Sequence, residues 1–110
     1  LYDKEVVVLI DEHSQSASEY ATMLIRNAKN VTLMGEDTVG ADGFCLVLPI
    51  PGGNMVMYTA QGIYTPEGGQ TQRIGISPDI EVKRTIQGIK EGRDEMKEAA
   101  IEYIKEQNKK

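Results

Sequence analysis

Five consecutive apolar residues near the start of the chain constrain the fold more than any other feature. The run VVVLI, Val6 to Ile10, does not alternate with polar residues, which is typical of a strand covered on both faces in a parallel sheet. A helical pattern follows, predicted to begin within two residues of Ser18 and to end near Ala28, and NVTLMG (30–35) then predicts a second strand. This order predicts a right-handed crossover between parallel neighbours.

The middle of the chain predicts a loop and a hairpin. GEDTVGADG (35–43) has loop composition, and we expect Gly35, Gly40 and Gly43 to serve backbone turns. FCLVLPI, the turn PGGN and MVMYTAQGIYT then predict two antiparallel strands. An apolar stripe near the C-terminus predicts an amphipathic closing helix, with the residues Met96, Ala99, Ala100, Tyr103 and Ile104 on one face. Together these elements predict an α/β fold.

Charge and composition exclude several classes of function. The formal net charge is −5 and the pI is near 4.8, which argues against a nucleic-acid partner because such proteins concentrate Lys and Arg on one face. No apolar stretch is long enough to predict a membrane span. The single cysteine, Cys45, cannot form an internal disulfide, and its apolar neighbours predict a small core residue.

The first strand begins only a few residues from Leu1, with no preceding element and no Met. We therefore interpret the 110 residues as one domain that is part of a longer protein. If so, the strand at Val6 to Ile10 and the hairpin at 44–59 should leave apolar faces without partners, and the isolated chain should self-associate.

The turn between the first strand and the helix admits two interpretations. Ser16-Ala17-Ser18-Glu19 matches the S-x-x-E capping box, in which Ser16 caps the helix and Glu19 reaches back. A serine on a strand-to-helix turn can instead be a nucleophile, because the free amides of the helix N-terminus can stabilise an oxyanion. The local turn chemistry leaves both interpretations open.

A wider pattern favours the nucleophile. VVVLIDEHSQSASEYATMLIRN, GEDTVGADG, LPIPGGNMVMYT, YTPEGG and IGISPDIEV occur in the order and approximate spacing of one family. Over residues 5–84 the chain resembles the carboxyl-terminal processing (tail-specific) serine peptidases, which include the tricorn protease. The resemblance implies a crotonase-like α/β core and cleavage of polypeptides. It further implies that Ser16 is the nucleophile, that the Ala17 amide is an oxyanion-hole donor, and that Ser14 and Ser18 support them.

The same resemblance divides the chain and leaves the general base unassigned. Residues 1–84 match a C-terminal part of the catalytic core, and residues 85–110 would form the closing helix and tail.

The tail-specific branch takes its base from the lysine of T-F-G-K-G, where this chain has Ala41, and Asp42 is too weak a base to substitute. The tricorn-like branch uses a histidine from an upstream segment together with a glutamate. The nearest match to that glutamate in this chain is Gln72.

Two functions therefore stay open, and a third is less favoured. The first is a serine peptidase whose base lies outside this sequence, so that the isolated chain is inactive. The second is a peptide-binding relative that has lost the base, and the third is an acyl-thioester enzyme of the related crotonase fold. We expect His13, the only histidine, to be a polar residue at the strand end and not the base.

No cofactor or metal is assigned from the sequence. Glu36, Asp37 and Asp42 lack the ligand spacing of a cation loop, and no phosphate-binding glycine motif is present. The expected partner is a polypeptide substrate. The compartment stays open, and the resemblance allows an extracytoplasmic location, periplasmic or in the cell envelope.

Overall fold

The computed structural model describes residues 2–109, and this range contains two small sheets and three helices. The elements follow in the order β1 Val6–Ile10, α1 Ala17–Ile25, β2 Val31–Gly35, β3 Phe44–Ile50, β4 Asn54–Gln61, β5 Ile80–Glu81, α2 Ile86–Lys90 and α3 Glu95–Gln107. None of the helices in this range is long and apolar enough to cross a bilayer.

The first sheet is parallel and has the strand order β1-β2-β5. Its register places Val6 opposite Val31 and Ile10 opposite Gly35, which confirms the predicted strand-helix-strand unit. The core at this sheet is small and has the members Ile10, Leu33 and Ile76, with Val8, Met23 and Val31 packed against them. β1 is an edge strand within the described residues, and its Leu9 is 42% exposed, so the expected cover on both faces is not met there.

The first helix confirms the prediction at its start and differs at its end. α1 begins at Ala17, one residue before Ser18, and ends at Ile25 and not near Ala28. Asn27 closes it early, because its side-chain amide donates to the carbonyls of Met23 and Leu24 at 2.9 and 3.3 Å. The helix was predicted from apolar residues at helical spacing. In the structure, however, the buried side chains of α1 are the polar ones of Glu19 and Thr22.

Gly35 ends β2 directly beside β1. It has a φ of 132°, and a Cβ atom built on it would lie 2.0 Å from the carbonyl oxygen of Ile10. Gly40 and Gly43 also have positive φ values, of 74° and 133°. Gly40 and Gly43 lie in the loop after β2 and serve backbone turns as predicted, whereas Gly35 is the last residue of the strand itself; residues with a side chain rarely adopt these conformations.

The second sheet is the predicted hairpin of β3 and β4. Its register runs from Phe44 opposite Gln61 to Ile50 opposite Asn54, with an irregularity after Phe44. Every residue of the two strands is exposed. The prediction that Cys45 is a core residue is therefore wrong, because β3 and β4 pair with each other but no described element covers either face.

The closing segment divides into two helices where the sequence predicted one. Gly92, with a φ of 66°, separates α2 from α3. Thr85 caps α2 by accepting from the Gly88 amide, and Asp94 caps α3 by accepting from the Lys97 amide. α3 packs on β1 and β2 through the predicted stripe, of which Met96 and Ala100 are buried.

Candidate active site

Ser16 stands on a sharp turn between β1 and α1 with an unusual backbone. Its φ of 54° and ψ of −119° are far from the extended conformation of an ordinary helix cap. The turn before it is tied by Asp11, whose carboxylate accepts from the His13 amide at 3.0 Å and from the Ser14 hydroxyl at 3.2 Å. Such strain in a strand-to-helix turn is a feature of nucleophile elbows.

The amides at the start of α1 differ in their hydrogen-bond partners. The Ser18 amide donates to the carbonyl of Gln15 at 3.2 Å, and the Tyr20 amide donates to that of Ser16 at 3.1 Å. Within residues 2–109 the Ala17 amide has no hydrogen-bond partner. A free amide at a helix N-terminus can stabilise negative charge that develops on a nearby oxygen.

Glu19 joins this turn to the loop after β2. Its side chain is fully buried, and Oε2 accepts from the amides of Ser16 and Ala41, each at 3.0 Å. Oε1 accepts from the Gly40 amide at 2.8 Å and from the Thr38 hydroxyl at 2.5 Å. One carboxylate thus satisfies four donors, which offsets the cost of burying its charge.

Further bonds anchor the same loop. The Val39 amide donates to the carbonyl of Ser14 at 3.0 Å, and the Ile76 amide donates to the Thr38 hydroxyl at 2.8 Å. The Ser16 turn, the 38–41 loop and the segment before β5 therefore form one connected backbone network.

Two open hollows meet at Ser16. The first, here called the apolar hollow, has a volume of about 480 Å³, and its lining includes Ser16, Ala17, Tyr20, Phe44, Cys45 and Ile63. The second, here called the polar hollow, has a volume of about 690 Å³, and its lining includes Ser16, Ala41, Thr59, Gln70, Gln72 and Arg73. Cys45 also lies at this second hollow, so its thiol is a surface group near the candidate nucleophile.

The structure brings some of the sequence-predicted residues together and separates others. Ala41 and Gln72 line the same hollow as Ser16, at the positions where the resemblance expects a lysine and a glutamate. His13 lines neither hollow, and its side chain is 76% exposed beside Glu12. No lysine within residues 2–109 lines either hollow.

Asp42 is buried next to Ser16, but its carboxylate is engaged. Oδ1 accepts from the Gly43 amide at 2.7 Å, and Oδ2 accepts from the Thr71 hydroxyl at 3.5 Å. The two remaining predicted serines are structural neighbours: the Ser14 hydroxyl binds Asp11, and the Ser18 hydroxyl donates to the Gln15 carbonyl at 2.7 Å.

Asp11, which directly follows β1, has a lowered pKa. Partial burial raises the pKa of Asp11, but the hydrogen bonds from His13 and Ser14 and the charge of Arg84 outweigh it, so the pKa lies below 3.8. Asp11, Glu12 and His13 place one possible ligand atom each within 4.8 Å of one another. Glu12 already accepts from Arg84 at 2.5 Å, and we assign no metal to this exposed group.

Sequence reasoning missed three features of the site. It identified Glu19 only as part of a capping box, because its contacts to Thr38, Gly40 and Ala41 join residues about twenty positions apart. It also assigned no role at the site to Tyr20, one helical turn after Ser16, or to Arg73, which reaches the site only after the chain folds. A non-glycine residue with positive φ, such as Arg73, leaves no signal in a single sequence.

A strained serine between a parallel strand and a helix, with a free amide beside it, is the arrangement of enzymes that act through a serine nucleophile. Residues 1–82 match the model of peptidase family S41, and the chain belongs to this family. The predicted resemblance is thereby confirmed.

Individual relatives agree with this assignment. The carboxy-terminal-processing protease of Bartonella bacilliformis is 31% identical over 84 residues, which cover 76% of this chain and 19% of that protein. The chloroplastic C-terminal processing peptidase of Tetradesmus obliquus is 31% identical over 77 residues, or 70% of this chain and 17% of that protein. The chain thus spans about a fifth of the length of these relatives.

Solved structures show the same fold. A crystal structure of a candidate peptidase from Parabacteroides merdae has a TM-score of 0.82 and 33% identity, covering 94% of this chain and 32% of that one. The tricorn protease has a TM-score of 0.78 at 18% identity, covering 93% of this chain and 10% of that one, which shows a likeness in fold alone.

Proposed function

We propose that the protein containing this chain is a serine peptidase that cleaves peptide bonds through an acyl-enzyme on Ser16. The observation that carries the proposal is the strained conformation of Ser16, at the N-terminus of α1 and at the meeting point of two hollows. A crotonase-like core for the whole catalytic domain, with residues 1–84 as part of it, belongs to the same proposal.

The proposed chemistry assigns one step to each group. Ser16 Oγ bonds to the carbonyl carbon of the substrate while its proton passes to a general base, and the Ala17 amide donates to the resulting oxyanion. The peptide C–N bond then breaks, and the amine leaves with a proton. Water hydrolyses the ester, which releases the new carboxylate and restores the Ser16 hydroxyl.

The base in this proposal lies outside residues 2–109. Ala41 has no ionisable side chain, the Asp42 carboxylate is engaged, and His13 lines neither hollow. A general base contributes on the order of 10² to 10⁴ in rate. The isolated chain should therefore hydrolyse peptides at little more than the background rate.

A second candidate is a peptide-binding relative that keeps the hollows but not the chemistry. This alternative is favoured by Ala41, which lines the polar hollow at the loop position where the tail-specific branch has its basic lysine. The two candidates differ in whether Ser16 is activated, because only an activated serine reacts readily with a fluorophosphonate.

The test is fluorophosphonate labelling of the whole protein. We expect labelling at Ser16 that Ser16→Ala abolishes and that Ser18→Ala, a matched serine two residues along the chain, leaves in place. A folded whole protein that is not labelled at Ser16 would contradict the peptidase proposal and favour the peptide-binding alternative.

A further inference from the structure

Arg73 differs from every other arginine of residues 2–109 in having no carboxylate partner. Arg26 binds Asp79 at 2.5 Å, Arg84 binds Glu12 at 2.5 Å, and Arg93 binds Glu98. The Arg73 side chain makes no ion pair or hydrogen bond to any residue in this range, and only its backbone amide is bonded, to the carbonyl of Gly40 at 2.6 Å. An unpaired guanidinium is notable in a chain with a net charge of −5.

Its location connects this free cation to the candidate nucleophile. Arg73 and Ser16 line the polar hollow together, and the side chains around them include the neutral polar groups of Thr59, Gln70 and Gln72. The one acidic residue of this lining is Asp42, whose carboxylate already accepts from the Gly43 amide and the Thr71 hydroxyl. The hollow thus offers a positive charge and neutral polar side chains to a ligand.

The backbone of Arg73 resembles that of Ser16 in having a positive φ and a hydrogen-bonded amide. These are the only non-glycine residues with positive φ among residues 2–109, with values of 66° and 54°. Such conformations persist only where the surroundings impose them, and they cluster at functional sites. The bond from Arg73 to Gly40 anchors it to the loop that Glu19 ties to Ser16.

We propose that Arg73 binds a carboxylate of the peptide substrate in the polar hollow and so determines which peptides are placed at Ser16. A guanidinium recognises carboxylates through two parallel hydrogen bonds, and the anionic surface elsewhere on the chain would repel such a group. The carboxylate is either the C-terminal group of the peptide or an acidic side chain. This inference rests on the proposed function, since it takes Ser16 as the point of cleavage.

The experiment measures peptide binding to the whole protein carrying Ser16→Ala, so that cleavage does not interfere. Three labelled peptides are compared by fluorescence anisotropy: one uncharged sequence with a free C-terminus, the same sequence amidated, and the amidated sequence with one residue near its end replaced by Glu. We expect one of the two carboxylate-bearing peptides to bind about 10-fold more tightly than the uncharged one. Which of them does so identifies the source of the carboxylate.

Two further variants assign the effect to Arg73. Arg73→Gln should remove the preference, and Arg73→Lys should retain part of it, because the charge stays but the fork geometry is lost. Arg93→Gln is the matched control, since it removes the same charge from a residue that does not line the hollow, and it should keep the preference.

Three results would overturn the inference: equal binding of the three peptides, a preference that survives Arg73→Gln, or no binding of any peptide. Fluorophosphonate labelling of the whole protein, with Ser16 and Arg73 both intact, separates this inference from the proposed function. Labelling without a carboxylate preference would reject the role of Arg73 alone, and a preference without labelling would reject the peptidase.

Discussion

Ser16 adopts a backbone conformation that a residue with a side chain enters only at a cost. Glycine carries no such penalty, because it lacks the Cβ atom that clashes at positive φ. The Ser16 amide is bonded to Glu19 and the Ser16 carbonyl accepts from Tyr20, so the network around it holds the strained conformation in place. Such strain is expected at a nucleophile, which is the role proposed for Ser16.

We predict that Ser16→Gly is more stable than Ser16→Ala, because only glycine relieves the strain. The expected difference in the free energy of unfolding is about 1 kcal/mol, measured by urea titration. Ser18 provides the control: it lies inside α1, where glycine is unfavourable, and Ser18→Gly should be less stable than Ser18→Ala. A Ser16→Gly variant less stable than Ser16→Ala would show that the turn is not strained.

Glu19 is the buried charge on which the site geometry depends. We predict that Glu19→Gln lowers the free energy of unfolding by about 3 kcal/mol, because an amide NH₂ cannot accept the hydrogen bonds that one carboxylate oxygen accepts now. It should also reduce fluorophosphonate labelling at Ser16, since the Ser16 amide or the 38–41 loop loses its anchor.

The control for this prediction is Glu98→Gln, an exposed carboxylate of α3 that pairs with Arg93. It should change stability little and leave labelling unchanged, because exposed ion pairs contribute little. Equal effects of the two substitutions would contradict the role assigned to Glu19.

At the scale of elements, the contact between β1 and β2 depends on Gly35. We predict that Gly35→Ala costs about 3 kcal/mol or more of unfolding free energy, because the new Cβ would lie 2.0 Å from the Ile10 carbonyl oxygen. Gly53, in the hairpin turn, has a φ of 78° but no atom within 4 Å of a built Cβ. Gly53→Ala should therefore cost only about 1 kcal/mol, and thermal unfolding of both variants tests the difference.

The segment before α2 is held by a carboxylate of α3. Glu95 accepts from the Thr85 amide at 2.6 Å and from the Thr85 hydroxyl at 2.9 Å. These hydrogen bonds hold the pKa of Glu95 below its ordinary value of 4.5. A carboxyl with a lowered folded pKa stabilises the fold fully above its unfolded pKa, and this stabilisation is lost as the pH falls through the folded pKa.

We therefore predict that acidification below pH 4.5 loosens the junction of Thr85 and α2. An NMR titration of the Thr85 amide should show this, with a midpoint below 4.5. Glu95→Gln should make the Thr85 signal independent of pH in this range. A titration midpoint above 4.5 would contradict the hydrogen-bonded geometry.

At the scale of the whole molecule, the described residues are extended. The radius of gyration is 17.6 Å, whereas about 13 Å is expected for a compact chain of this length. The hairpin accounts for much of the uncovered apolar surface: Phe44, Val47, Met55 and Met57 are each more than half exposed. Exposed apolar surface of this kind favours association with other chains.

We predict that the isolated 110-residue chain forms a dimer or larger species at micromolar concentration, because association would bury the hairpin. Size-exclusion chromatography with light scattering measures the mass. Val47→Lys combined with Met57→Lys, a cross-strand pair, should shift the chain toward monomer. A stable wild-type monomer, or an unchanged mass in this variant, would contradict association through the hairpin.

The sequence was sufficient for the features whose cause is local. The β1 run, the hairpin turn with its glycines and the start of α1 after Ser16 depend on neighbouring residues, and each was predicted where the structure has it. The order of five short motifs was sufficient for the family. The division of the closing segment at Gly92 was missed, because a single glycine is compatible with either a helix or a break.

Only the tertiary structure decided which residues surround Ser16 and which are buried. Glu19 is buried because its four donors come from two separate segments, and Cys45 is exposed because nothing described covers the hairpin. Arg73 reaches the polar hollow only once the segment before β5 is bonded to the 38–41 loop. Burial and charge pairing depend on contacts between distant positions, which local propensity and periodicity do not encode.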